Sequence, residues 1–165
     1  SESTPVVLYT GTFEAYQGLD LLFESMRRVL ASRPEARLVM VGGEAAQVDA
    51  ARESVEGLGI AGAVLFTGQR PAEEVPAYLD AATVLVSPRS SGTNTPLKIY
   101  QYLRSGRPIV ATRLRTHTQV LNDDVAIIWL YDRQSIDAFR ANVSGPVGSV
   151  WQAITFNAGD WWIKR

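Results

Sequence analysis

The 165-residue chain contains no cysteine and a single histidine, His117. The first absence excludes disulfides, thiolate nucleophiles and cysteine-zinc clusters, and the second leaves no standard His-based metal site and no evident Ser-His-Asp triad. No apolar run approaches the roughly 18 residues of a membrane span. Neither sign of charge is in excess: sixteen Lys+Arg face seventeen Asp+Glu, a net charge of −1, which gives no case for a nucleic-acid or membrane-surface protein. Two phosphate signatures are also missing. There is no G-x-x-x-x-G-K-[ST], and Gly11 and Gly18 lie too far apart for G-x-G-x-x-G, which weakens ATPase and dehydrogenase readings.

What is present has the balance of a soluble globular fold: 46% hydrophobic and 20% charged residues, with 13 Gly and 8 Pro spread along the chain. The length suits one domain. Ser1 to Pro5 is a polar lead without a basic-then-apolar signal, so the expected location is cytoplasmic. Two local asymmetries survive the averaging. Between Asp80 and Asp123 there is no carboxylate, while Arg89, Lys98, Arg104, Arg107, Arg113 and Arg115 fall in that stretch, so a near-neutral chain contains a cationic segment. All four tryptophans (129, 151, 161 and 162) lie in the last 37 residues, which hold three of the seventeen acidic residues.

Short apolar runs alternate with helical patterns. Val6–Tyr9, Arg37–Val41, Val64–Thr67, Thr83–Ser87, Pro108–Thr112 and Val125–Leu130 read as strands. Between them, Leu19, Leu22, Phe23, Met26, Val29 and Leu30 repeat at helical spacing; Ala45–Leu58, Pro71 to about Ala82, and Pro96–Ser105 read as helices, and Thr116–Leu121 as a short helical turn. Nearly all-apolar strands joined by helical crossovers require parallel pairing with both sheet faces covered. The predicted fold class is therefore α/β, a doubly wound, Rossmann-like parallel sheet over residues 1–130. Residues 131–165 form an atypical Trp-containing tail, expected to pack on the same domain, in which Ser135–Arg140 is compatible with a short helix.

In such a sheet the ligand crevice lies beyond the carboxyl ends of the strands. The most informative exit is Ser87–Thr95, where Ser, Gly, Thr and Asn run into Pro96 at a helix start, exposing backbone N–H groups suited to phosphate with Arg89 and Lys98 beside them. Side-chain capping by Thr93 to Thr95 is the competing explanation. Gly42-Gly43 reads first as a strand-to-helix turn and second as a close-approach site. His117 reads as a surface loop residue, with a phosphate or hydroxyl contact as the alternative. Asp123-Asp124 reads as a turn and not as a metal site.

The order of elements, together with Gly92-Thr-Asn-Thr-Pro-Leu-Lys-Ile-Tyr-Gln-Tyr-Leu-Arg-Ser-Gly-Arg-Pro-Ile-Val-Ala-Thr112, resembles the C-terminal, nucleotide-sugar-binding domain of group 1 glycosyltransferases of the two-Rossmann (GT-B) fold. Tyr9-Thr-Gly11 with Gln17–Leu22, Leu38–Gly43, Val64–Gly68 with Val75–Tyr78, and Val84–Pro88 support it, so that the resemblance covers about Val6 to Ile128. It implies that the Gly68-Gln69-Arg70 loop meets the nucleotide base, that Thr93, Asn94, Thr95 and Leu97 bring main-chain donors to the diphosphate, and that Gly11, Thr12 and Gln17 form the other phosphate-side loop, with Gly43 nearby. Family members commonly carry basic residues where Thr12 and Gln17 stand, and glutamates where Thr93 and Gln101 stand. Gln101 keeps hydrogen-bonding capacity toward a ribose, while Arg89, Lys98 or Arg113 would have to compensate for the missing cations.

The resemblance further implies a UDP- or GDP-linked sugar as substrate, transfer with retained configuration, no cofactor and no essential metal. It also implies an N-terminal Rossmann-like domain as the second wall of the cleft, without which the chain is expected to be inactive. Two other classes stay open: a stand-alone nucleotide- or polyanion-binding module using the carboxylate-free segment, and an assembly module that self-associates through the Trp-rich tail.

Overall fold

In a computed structural model the described residues are 4–121, with the backbone of two further strands at 127–129 and 138–139. The strands are β1 (Val6–Thr10), β2 (Arg37–Val41), β3 (Val64–Gly68), β4 (Val84–Ser87), β5 (Ile109–Ala111), β6 (Ile127–Trp129) and β7 (Ala138–Phe139). The helices are α1 (Leu19–Ser32), α2 (Ala45–Gly57), α3 (Val75–Ala81), α4 (Lys98–Ser105) and α5 (Arg115–Thr118), with one-turn 3₁₀ segments at Ala15–Gln17 and Ala61–Ala63. The sheet order is β3-β2-β1-β4-β5-β6-β7. The first six strands pair in parallel, and β7 runs antiparallel to β6.

This is the doubly wound arrangement that the alternating runs predict, and its order reverses between β1 and β4. Leu22, Phe23, Met26 and Val29 fall on one stripe of α1 and are buried; with Val48, Ala51 and Val55 of α2 they cover one sheet face through Val7, Tyr9, Met40, Val84 and Val86. Each large apolar side chain removed from water in this way contributes about 1.5–3 kcal/mol. Leu79 of α3 and Ile99 and Tyr102 of α4 cover the opposite face through Leu8, Leu85 and Ile109. The chain thus winds one way from β1 and the other way from β4, the kind of reversal at which open α/β sheets bind ligands; the two exit loops meet there, with Ser90 donating to the Tyr16 carbonyl.

Boundaries differ from expectation where local geometry intervenes. Residues 72–74 form a turn after Pro71, and α3 begins at Val75 with Pro76 in its first turn, where a missing N–H costs nothing. Helix α4 begins at Lys98, not at Pro96. Ala138–Phe139 is strand, bonded along the sheet edge at Ile127 and Ile128, in a stretch whose sequence is also compatible with a short helix. Asp123, Asp124 and Trp151, Trp161 and Trp162 lie outside the described residues. No described helix is long and apolar enough to cross a membrane.

Candidate functional site

At the switch point Lys98 reaches from the first turn of α4 across to the end of β1. Its Nζ donates to the Thr10 carbonyl (3.1 Å) and to Gln17 Oε1 (3.1 Å), and sits 4.0 Å from the centroid of the Tyr9 ring. Gln17 in turn donates to Thr12 Oγ1 at 3.4 Å, and Tyr9 donates its hydroxyl to the Thr12 carbonyl at 2.6 Å. The partners of the ammonium are neutral, and among the described residues no carboxylate lies within ion-pairing distance of it; the described ion pairs are Arg27–Glu24 and Arg33–Glu35. Burial, and secondarily the positive charge of Arg89, pull the Lys98 pKa down to about 7, because the charged form has lost water without gaining a counter-ion.

Beneath this group Tyr102, one helical turn after Lys98, accepts hydrogen bonds at its hydroxyl from Thr10 N (2.9 Å) and Thr10 Oγ1 (3.1 Å). Its own proton points to the Val86 carbonyl at 3.4 Å. Burial raises the Tyr102 pKa to about 12 and drives that of Tyr9 higher still, so both phenols stay neutral across the physiological range.

The loop from β4 to α4 carries its polar groups as predicted, but without the capping alternative: α4 has no side-chain cap hydrogen bond. Thr93, Asn94 and Leu97 are exposed, Leu97 at 80%. Their amides donate to no group among the described residues, as is usual for N–H groups ahead of a helix start. Arg89 behaves differently from expectation. It is only 5% exposed, and its guanidinium is engaged within its own loop by Ser91 and Asn94.

The expectation of a surface His117 is corrected by the structure, which buries it completely. Nδ1 lies 2.7 Å from the Thr112 carbonyl, and that acceptor fixes the proton on Nδ1, so Nε2 takes the hydroxyl proton of Ser87 at 3.0 Å. Burial, opposed by the Thr112 hydrogen bond, lowers its pKa. His117 therefore stays neutral and ties α5 to the exits of β4 and β5.

Gly43 has φ +77, and a Cβ there would meet the Phe13 ring at 2.7 Å, so close packing of Phe13 requires the glycine. Gly43 and Gln69 also line one open cleft of about 590 Å³ between α2 and the end of β3, with Arg52 over the Phe66 ring. The structure thus joins Gly11, Thr12, Gln17 and Lys98 in one cluster, Arg89 and Asn94 in a second, and Gly43 and Gln69 in a third. Arg70, Thr93 and Gln101 are exposed and Thr95 half-buried, none hydrogen-bonded to these clusters among the described residues. Sequence reasoning missed Tyr9, Tyr102 and Tyr16. The Lys98-x-x-x-Tyr102 spacing, which puts both on one helix face, was the available signal.

The sequence matches the family described as "Glycosyl transferases group 1" over residues 4–145. Among individual proteins, it is 30% identical over 143 residues to YtcC of Bacillus subtilis, covering 81% of this chain and 35% of that one. It is 32% identical over 116 residues to the D-inositol 3-phosphate glycosyltransferase of Corynebacterium diphtheriae, covering 67% and 27%. The fold superposes on WaaG, a glycosyltransferase involved in lipopolysaccharide biosynthesis (TM-score 0.68, 20% identity, 82% of this chain and 35% of that one). It also superposes on Anabaena HepE, solved with UDP and glucose (TM-score 0.64, 18% identity, 74% and 33%). The chain spans about a third of the length of these relatives.

Proposed function

Since the chain belongs to the group 1 glycosyltransferases, we propose that it is the donor-binding half of a retaining, metal-independent glycosyltransferase. The observation that carries this reading is the Lys98 ammonium at the sheet's switch point, which has no carboxylate partner among the described residues and directly follows the 93–97 loop, whose amides likewise have no partner among them. A cation without a counter-ion and N–H groups without acceptors among the described residues fit the negative image of a diphosphate.

In this reading the diphosphate of a UDP- or GDP-linked sugar lies between the exits of β1 and β4. Lys98 and the loop amides take its oxygens, Gln101 faces the ribose and the Gly68–Arg70 loop meets the base. Chemically, the site's task is to hold the leaving group. As the bond from the sugar's anomeric carbon to the diphosphate oxygen breaks, negative charge grows on that oxygen. Donors already in place stabilise it without reorganisation. The acceptor and an opposing wall come from an N-terminal Rossmann-like domain, so the chain alone binds nucleotide without transferring sugar. Residues 131–165 belong to the same unit in this reading, which the pairing of β7 along the β6 edge supports.

Calorimetric titration with UDP and with GDP tests the proposal. Saturable binding of at least one, weakened by Lys98→Met, is expected. No heat with either at millimolar concentration would refute it.

A further inference from the structure

Arg89 is placed as few surface-loop arginines are. Its Nε donates to the Ser91 carbonyl at 2.7 Å, Nη1 to the Asn94 carbonyl at 2.8 Å and Nη2 to Asn94 Oδ1 at 2.9 Å. Three of its five N–H donors thus end on the inside of one loop. The Tyr16 ring closes over the guanidinium at 5.1 Å. The same turn is bonded to the loop at the next residue, where Ser90 N and Oγ both donate to the Tyr16 carbonyl (2.9 and 3.2 Å). Arg89 is anchored from behind as well, since Thr112 donates its hydroxyl to the Arg89 carbonyl. Gly92 completes the arrangement: its φ is +128, and a Cβ there would collide with the guanidinium.

We propose that Arg89 is a positioning residue, which holds the 90–97 loop from beneath in the shape that presents its amides to the anion and does not itself contact the donor. The inference rests on the donor-binding reading above. A run of Ser, Ser, Gly, Thr, Asn and Thr has little apolar surface to order it, so without the fork its ordering entropy would be charged against ligand binding. Lysine cannot replace the arginine, because a point ammonium does not span the Ser91 carbonyl and both Asn94 oxygens in one plane. Charge and geometry are therefore separable by substitution.

The test combines calorimetry of UDP and GDP binding with hydrogen exchange on the same chain, for Arg89→Lys, Arg89→Ala and the milder surface variant Asn94→Ala. The Arg89 variants are expected to weaken binding by about tenfold or more and to speed exchange at 90–97 while β1 and β4 amides keep their protection. Asn94→Ala is expected to shift both readouts in the same direction by less, and it keeps the test open if an Arg89 variant does not fold. Wild-type affinity in Arg89→Lys would overturn the inference in favour of charge alone. Weakened binding with unchanged loop protection would overturn it in favour of direct contact. Failure of the unmodified chain to take UDP or GDP overturns the donor reading and the inference with it, whereas normal binding by the unmodified chain and by all three variants overturns the inference only.

Discussion

Lys98 makes nucleotide binding depend on pH in a way that follows from its surroundings. Its neighbours are the Tyr9 ring, Gln17, the Thr10 carbonyl and, through space, Arg89; none offers negative charge, and its pKa falls to about 7. A bound diphosphate supplies that charge and restores the ordinary lysine value. Binding above pH 7 must then take up a proton, and each pH unit weakens affinity by up to tenfold. From pH 7, where half of the lysine is charged, to pH 9 the loss is about 50-fold, or roughly 2.3 kcal/mol. Below pH 7 the lysine is already charged, and affinity falls again only as the terminal phosphate protonates near pH ~6.

The assay is calorimetry at constant ionic strength in buffers of different ionisation enthalpy, with UDP or GDP as ligand. Uptake of close to one proton is expected at pH 8, and none in Lys98→Met. The chain without ligand should show the complementary linkage: the unfolded lysine keeps its proton until about 10.4 and the folded one releases it near 7, so stability rises with pH between those values. A flat affinity above pH 7, or the same slope in Lys98→Met, would refute the reasoning.

Two further outcomes are expected. Tyr102→Phe removes the acceptor of two buried Thr10 donors and should destabilise the fold by about 1–3 kcal/mol, read by urea unfolding; an unchanged midpoint would contradict the hydrogen-bond assignment. His117 has a depressed pKa, so the unfolded chain takes up its proton first and stability falls as pH drops below about 6.5. His117→Gln should flatten that part of the profile, and an unaltered acid slope in the variant would count against a neutral buried imidazole.

The strands and helices were legible because their signals are local. An apolar run of four or five residues between turn residues, or the stripe Leu22-Phe23-Met26-Val29, has few alternatives once it must be buried. The exit loops were legible for the same reason, as glycines and small polar residues after each strand. What escaped was decided at long range. The Arg89 guanidinium ends on Ser91 and Asn94 of its own loop, but the Tyr16 ring over it comes from more than seventy residues away and Thr112, which holds its main-chain carbonyl, from more than twenty, and no spacing rule encodes that meeting. His117 looks like a loop residue between threonines until β4 and β5 bring Ser87 and Thr112 to it. Ala138–Phe139 was compatible with helix, and the open edge of β6 made it strand, as edge pairing commonly overrides weak local preference.

The bond between Thr10 and Tyr102 has a consequence for how this site can fail. Thr10 closes the interior strand β1, and its amide is held by the buried Tyr102 side chain of α4. The floor beneath Lys98 therefore cannot loosen by fraying of an outer loop; it opens only when β1 and α4 separate, which is the opening of the domain itself. Protection of that one amide against exchange should equal the global stability of the fold, and gradual heating should leave the cation's seat intact until the whole molecule melts.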